Sequence, residues 1–188
     1  NALGFPAMGW GQDANQGLTA LGCEIVDACR DFGILVDLAH INRKGFFDAV
    51  ARKPGPLLVS HTGVVGVTPH WRNIDDEQIH AVADSGGVIG VIFAPQFVGS
   101  DDLDGVVAHL LHLLKIAGDD AVALGSDWDG FIRPTKGLAS PAELPNLTEA
   151  LLRAGVSAAT VHKILGENVL RLLRAAPPKL AASWQQNT

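Results

Sequence analysis

Across residues 17–174, short apolar runs alternate with segments of helical periodicity, and no other feature limits the fold as much. Leu18, Leu21, Ile25 and Ala28 recur at helical spacing, and Gly33 supplies the stop. The run 34–40 follows. Asn42 is the candidate cap of a helix that carries Phe46, Phe47 and Val50 and halts at Pro54-Gly55-Pro56. A second run covers 57–61. The next helix holds Ile79 and Val82, opens at Asn73 or Asp75 and closes at Gly86-Gly87. A third run spans 88–93, a helix over 103–117 stops at Gly118, and a fourth run, 121–125, ends in Ser126-Asp127. Helices near 147–153 and over 157–174 complete the pattern.

Strands that alternate with amphipathic helices pair in parallel through crossover helices. The apolar share of 47% suits strands buried on both faces. Helix-to-strand turns are tight, whereas the strand-to-helix loops 62–72, 94–101 and 128–146 are long. In a (β/α)₈ TIM barrel the site is built from such loops at the C-terminal strand ends. The competing architecture, an open doubly wound sheet, lacks support because no Gly-rich phosphate loop follows any strand. Four strands are legible where a full barrel has eight, usually in about 250 residues. The expected fold is therefore the C-terminal half of a metal-dependent hydrolase barrel over 17–174. Residues 1–16 form an entry loop from an upstream part, and 175–188 a tail. Its bare sheet edges predict association, either with the missing N-terminal half or with further copies of the chain.

The net charge of −6 leaves no basic stripe to neutralise phosphates, so a nucleic-acid groove is excluded. No apolar run approaches the ~18 residues of a transmembrane helix, and the sequence assigns no compartment. Cys23 and Cys29, six positions apart in one expected helix, read as small buried hydrophobes.

Three runs end in chemistry: Asp37-Leu38-Ala39-His40, Val59-Ser60-His61 and Gly125-Ser126-Asp127. Neighbouring strands lie about 4.8 Å apart, so His40 and His61 can share one small volume and ligate zinc, with carboxylates assisting. Asp37 either orients a histidine or caps a loop amide. Arg72 either grips a substrate carboxylate with its fork of donors or makes a surface ion pair with Asp75 or Asp76. Asp129 reads as a turn former before Gly130. His109 and His112, three apart on a helix, read as packing residues, because barrel helices lie away from the catalytic face. His80 and His162 read as surface residues, and His70 sits in a candidate lid loop. Trp10, Trp71 and Trp128 read as packing residues, although Trp71 and Trp128 fall on loops that should rim the site.

At these residues the chain resembles the membrane dipeptidase (renal dipeptidase) family of zinc peptidases. The matching stretches are Gly17-Leu18-Thr19 with Leu21-Gly22, residues 33–40, Ser60-His61, Arg72-Asn73 with Asp75-Asp76, Gly86-Gly87, and residues 125–130. Gly166, Asn168 and Arg171 match as well. The resemblance implies a metal-dependent (β/α)₈ hydrolase of dipeptides, often with a D-residue on the C-terminal side. It implies that His40 and His61 ligate one zinc of a binuclear pair and that Arg72 and Asp127 contact substrate. Asp127 would also shuttle protons while a zinc-bound hydroxide attacks the peptide bond. The family's His-x-Asp pair and bridging glutamate have no counterpart in this sequence. The remaining ligands are thus expected on another segment or chain. The alternatives are another metal-dependent amidohydrolase, or an inactive fragment or pseudoenzyme that acts as an association partner.

Overall fold

The structure, a computed structural model, describes residues 16–175, so most of the expected entry loop and tail, and Trp10 with them, lie outside the described residues. Helix α1, Ala20–Phe32, starts where the Thr19 hydroxyl accepts from the Gly22 amide and ends at Gly33, whose φ of 71° is left-handed. Helix α2, Arg43–Ala51, is capped by Asn42, as the sequence predicts. Helix α3, Asp76–Asp84, opens with a reciprocal capping box between Asp75 and Gln78. Of the two candidate caps Asp75 does the capping. Asn73 instead donates from Nδ2 to the Thr68 and Phe97 carbonyls, which ties two loops together.

Strands β1 (Leu58–Thr62), β2 (Val88–Val91) and β3 (Val122–Leu124) form one parallel sheet in that order. The expected first strand, 34–40, is reduced to a parallel bridge between Asp37 and Leu58, with hydrogen bonds from Leu38 N to Leu58 O and from Leu58 N to Val36 O. Asp37 is the reason the ladder stops there. Its Oδ1 accepts from both Ala39 N and Ser60 N at 3.0 Å, which turns the chain away from strand geometry before His40.

Short helix α4, Pro95–Val98, sits in the loop after β2, and α5, Leu103–Ala117, returns the chain to β3. A 3₁₀ turn over Pro141–Glu143 leads into α6, Leu144–Arg153. The single helix expected over 157–174 is broken into α7 (Ala158–His162), a π-turn (Lys163–Glu167) and α8 (Asn168–Ala175). The bulge swings Asn168 and Arg171 toward the sheet. Asn168 Nδ2 donates to the Asp119 and Val122 carbonyls, and Arg171 donates to those of Gly86 and Asp120.

Alternate strand residues feed the two faces of the sheet. Val59, Ile89 and Val122 pack with Ile79, Val82, Leu110 and Leu113 of α3 and α5 in the main core. Val88 and Ala123 pack under Leu172 of α8, beside Leu35 and Leu58. Leu110 is fully buried, so truncation to Ala would cost about 2–5 kcal/mol. Covered on both sides, the strands can point their C-terminal ends at one region.

Candidate active site

His61 is the fourth residue of β1, and His40 ends the turn beside it. His40 has φ 67° and Asp127, just past β3, has φ 59°. Left-handed backbone is uncommon outside glycine, and each instance stores on the order of 1–3 kcal/mol of strain. Here it follows a run into the sheet in both cases and redirects the side chain across the sheet's end.

The Nε2 atoms of His40 and His61 lie 2.7 Å apart, with the rings edge to face and centroids at 4.7 Å. Ser60 Oγ meets His61 Nδ1 at 2.9 Å, and Arg72 Nε donates to His40 Nδ1 at 3.2 Å. Arg72 also donates from one terminal nitrogen to the His61 carbonyl at 3.0 Å, while the other reaches Thr62 Oγ1 only at 3.5 Å. The guanidinium is buried, its carbon 6.0 Å from the Phe97 ring centre, at the edge of a cation–π contact. The surface ion pair that was the alternative for Arg72 does not form. Asp75 is engaged by Arg43 at 2.7 Å, and Asp76 by His112 Nε2 at 2.7 Å.

Burial first, then the Arg72 charge, pushes His40 down to about 4 and lowers His61 as well. Both imidazoles are therefore neutral at pH 7, the form in which histidine binds a metal. Burial also draws Arg72 down to about 10, so it stays charged at pH 7. The Asp127 carboxylate opposes all three shifts, so its negative charge acts on His40, His61 and Arg72 alike. Asp37 opposes them too, but its oxygen is spent on the Ala39 and Ser60 amides, so it fixes the backbone that carries the two rings.

Two neutral imidazole nitrogens suit zinc, but with Arg72 Nε donating to His40 Nδ1 the His40 proton sits on Nε2. His40 would have to release Arg72 and carry its proton on Nδ1 for Nε2 to ligate a metal beside His61. Among the described residues no group of three or more His, Cys, Asp or Glu converges on one point. The pair fits two positions of a metal site. A cavity of about 560 Å³ opens beside it, with Leu38, His40, Ile41, Val65, Trp71 and Arg72 in its lining.

Residues 6–186 match the family described as membrane dipeptidase (peptidase family M19). The chain belongs to that family. It is 35% identical over 181 residues to an uncharacterized protein in the pqqA 5' region of Klebsiella pneumoniae, covering 93% of this chain and 64% of that one. It is 34% identical over 164 residues to the dipeptidase tcpJ of Claviceps purpurea, covering 85% and 39%. The chain thus spans less than two thirds of the length of these relatives. The crystal structure of a Rhodobacter sphaeroides metallo peptidase, liganded with a phosphinate mimic of the dipeptide L-Ala-D-Ala, superposes with a TM-score of 0.82. The two are 34% identical, and the match covers 87% of this chain and 48% of the other.

The other residues that the sequence singles out take quieter positions. His109 is buried, and His80 and His162 are exposed on helices. His70 packs edge-on against Phe97 and accepts from the Arg72 amide through Nδ1. Trp128 donates from Nε1 to Leu138 O and packs on Phe93, whereas Trp71 is 62% exposed at the cavity. Cys23 and Cys29 are free and half-buried. Two contributors escape sequence reading. Ser60 holds the far nitrogen of His61, signalled only by the Ser60-His61 pair. Gly130 leaves room for Asp127, since a Cβ there would fall 2.1 Å from its Oδ1.

Proposed function

We propose that this chain is the C-terminal, metal-ligating half of a (β/α)₈ zinc dipeptidase. One observation carries the reading: the neutral His40 and His61 nitrogens converge at 2.7 Å beside a buried, charged Arg72. When bound, zinc would lower the pKa of water and polarise the peptide carbonyl. His40 and His61 would hold one metal of the family's pair.

The chain's own side chains handle the substrate. Arg72 binds the terminal carboxylate of the dipeptide. Its terminal nitrogen near Thr62 has only a long, weak contact to give up, and the planar fork matches a carboxylate. Bound this way, the substrate presents its peptide bond toward Asp127. Asp127 accepts the proton released as water adds to the carbonyl and returns it to the departing amine. The apolar cavity beside Arg72 gives room for a side chain. The L-Ala-D-Ala mimic held by the Rhodobacter relative supports a dipeptide, including one with a D-residue at its C-terminal side.

Two nitrogen ligands fall short of the three that a catalytic zinc takes from protein. The N-terminal half of the barrel is therefore the proposed partner, and it supplies the other ligands. The 188-residue chain alone is expected to bind zinc weakly, to hydrolyse no dipeptide and to run larger than a monomer. Adding the N-terminal half, in trans or by fusion, should restore zinc stoichiometry and turnover together. Robust dipeptide hydrolysis by the chain alone, as a monomer, contradicts this.

A further inference from the structure

We infer that His109, on the outer helix α5, is a positioning residue that holds Arg72 in place for carboxylate binding. The inference rests on the reading of Arg72 as the carboxylate clamp. His109 is fully buried, and its two ring nitrogens reach two points of the loop that carries Arg72. Nδ1 accepts from the Val64 amide at 2.8 Å, and Nε2 meets Thr68 Oγ1 at 3.2 Å. A ring that accepts at Nδ1 while neutral carries its proton on Nε2, so the tautomer is set by the Val64 amide.

Both contacts lead to Arg72 by short routes. Val64 bridges to Ile74, two residues past Arg72, with Val65 N donating to Ile74 O at 2.9 Å and Ile74 N to Gly63 O at 3.1 Å. Thr68 offers its carbonyl to Nδ2 of Asn73, the residue after Arg72, at 2.9 Å. The same Nδ2 reaches Phe97 O, and Phe97 underlies the Arg72 guanidinium. Close packing seals the arrangement: a Cβ on Gly66 would fall 2.3 Å from the His112 ring, and one on Gly99 2.6 Å from Thr68 Oγ1. An apolar side chain at 109 could fill the volume, but it would leave the Val64 amide buried without an acceptor. Histidine offers an acceptor and a donor on one rigid ring, which suits a strut.

The test uses the catalytically complete dipeptidase containing this chain and compares a dipeptide with its C-terminal amide, which lacks the carboxylate. His109→Leu should raise KM for the dipeptide by about tenfold, with little change for the amide. It should also speed amide hydrogen exchange across 63–73. His109→Asn, which keeps an acceptor near Nδ1, should recover most of the loss, and Thr68→Val should show a smaller loss of the same kind. If His109→Leu fails to fold, the Asn and Val variants decide. Unchanged carboxylate preference in Thr68→Val and in a folded His109→Leu, while Arg72→Ala abolishes it, overturns the inference. So does an equal loss on both substrates, which marks a purely structural residue. Unchanged preference in Arg72→Ala instead overturns the clamp reading itself.

Discussion

The loop after β1 and the loop after β3 each deliver one charged residue to the same spot, yet they are built differently. The first places Val64, Arg72, Asn73 and Ile74 in the interior and closes on itself through the Val64–Ile74 bridge. The second exposes Asp129, Gly130 and Phe131. It is pinned by Thr135, whose N and Oγ1 both donate to Phe93 O at 2.8 Å, and by the Trp128 indole. Two of its residues, Asp127 and Phe131, take left-handed backbone. A clamp must hold a fixed charge at a fixed distance, and buried backbone provides that. A proton carrier has to reach two atoms in turn, the water oxygen and the amine nitrogen, and a less constrained loop tolerates that.

If the division of labour holds, the largest effect belongs to the second loop. Asp127→Asn should lower kcat by at least ~10², the scale of a lost general acid–base group, with zinc content in the complete enzyme nearly intact. Metal loss in proportion to activity would make Asp127 a ligand and erase the contrast. On the first loop, Arg72→Ala should raise KM for a dipeptide by about 10–10²-fold, matching a charged hydrogen bond of roughly 1.5–3 kcal/mol. Steady-state kinetics on a dipeptide and an uncharged ester check this. Equal losses on both would favour an amidohydrolase that has no need of a carboxylate clamp.

The two loops also differ in how much of them the sequence reveals. The placing of His61 and Asp127 at the end of the sheet is legible because a strand end is a local pattern, and so are the caps at Asn42 and Asp75 and the stop at Gly33, whereas His40, read as a strand end, closes a turn. Arg72 is visible as a candidate, but its burial is not, since that depends on Phe97 and on the His109 contact 45 residues from Val64. The run 34–40 reads as a strand on hydropathy. Strand status also needs ladder partners, and Asp37 takes the Ser60 amide that would extend the ladder while turning the chain through the Ala39 amide. The break at Gly166 is equally non-local: nothing within 157–174 announces that Asn168 and Arg171 must reach carbonyls at the strand starts.

Acid should separate the loops next. Burial holds His109 down at about 4 against an ordinary 6.5. The unfolded chain therefore binds a proton that the folded chain refuses between those values. Stability from this residue is complete above pH 6.5 and declines as pH falls toward 4, by at most on the order of 3 kcal/mol. Burial lowers His40 and His61 as well, so they act in the same direction. Urea unfolding at pH 7 and pH 4.5 measures the loss, and His109→Asn should remove part of the slope. At pH 5, hydrogen-exchange protection, corrected for the intrinsic pH dependence of exchange, should fall in 63–73 before it falls in 126–138. His109 is bonded to Val64 and Thr68 of the first loop, and the hydrogen bonds of the three histidines do not reach the second. The reverse order would break the contrast.

The smallest effect is expected at Phe131, and it tests whether the second loop is as free as it looks. The side chain is fully exposed, with relative accessibility 105%, and its φ of 59° is a conformation that aromatic residues rarely adopt. Nothing in such an environment rewards a phenyl ring, whereas asparagine tolerates left-handed backbone through its short polar side chain. Phe131→Asn should therefore leave unfolding free energy within about 0.5 kcal/mol of the parent, with any change toward greater stability. Chemical denaturation of the 188-residue chain and of the complete barrel, side by side, reads this out. A loss above about 1 kcal/mol in the complete barrel alone would mean that the N-terminal half covers Phe131 there, since an exposed surface substitution does not cost that much. The second loop would then be rigid only after assembly, and the difference between clamp and proton carrier would belong to the half barrel and not to the enzyme.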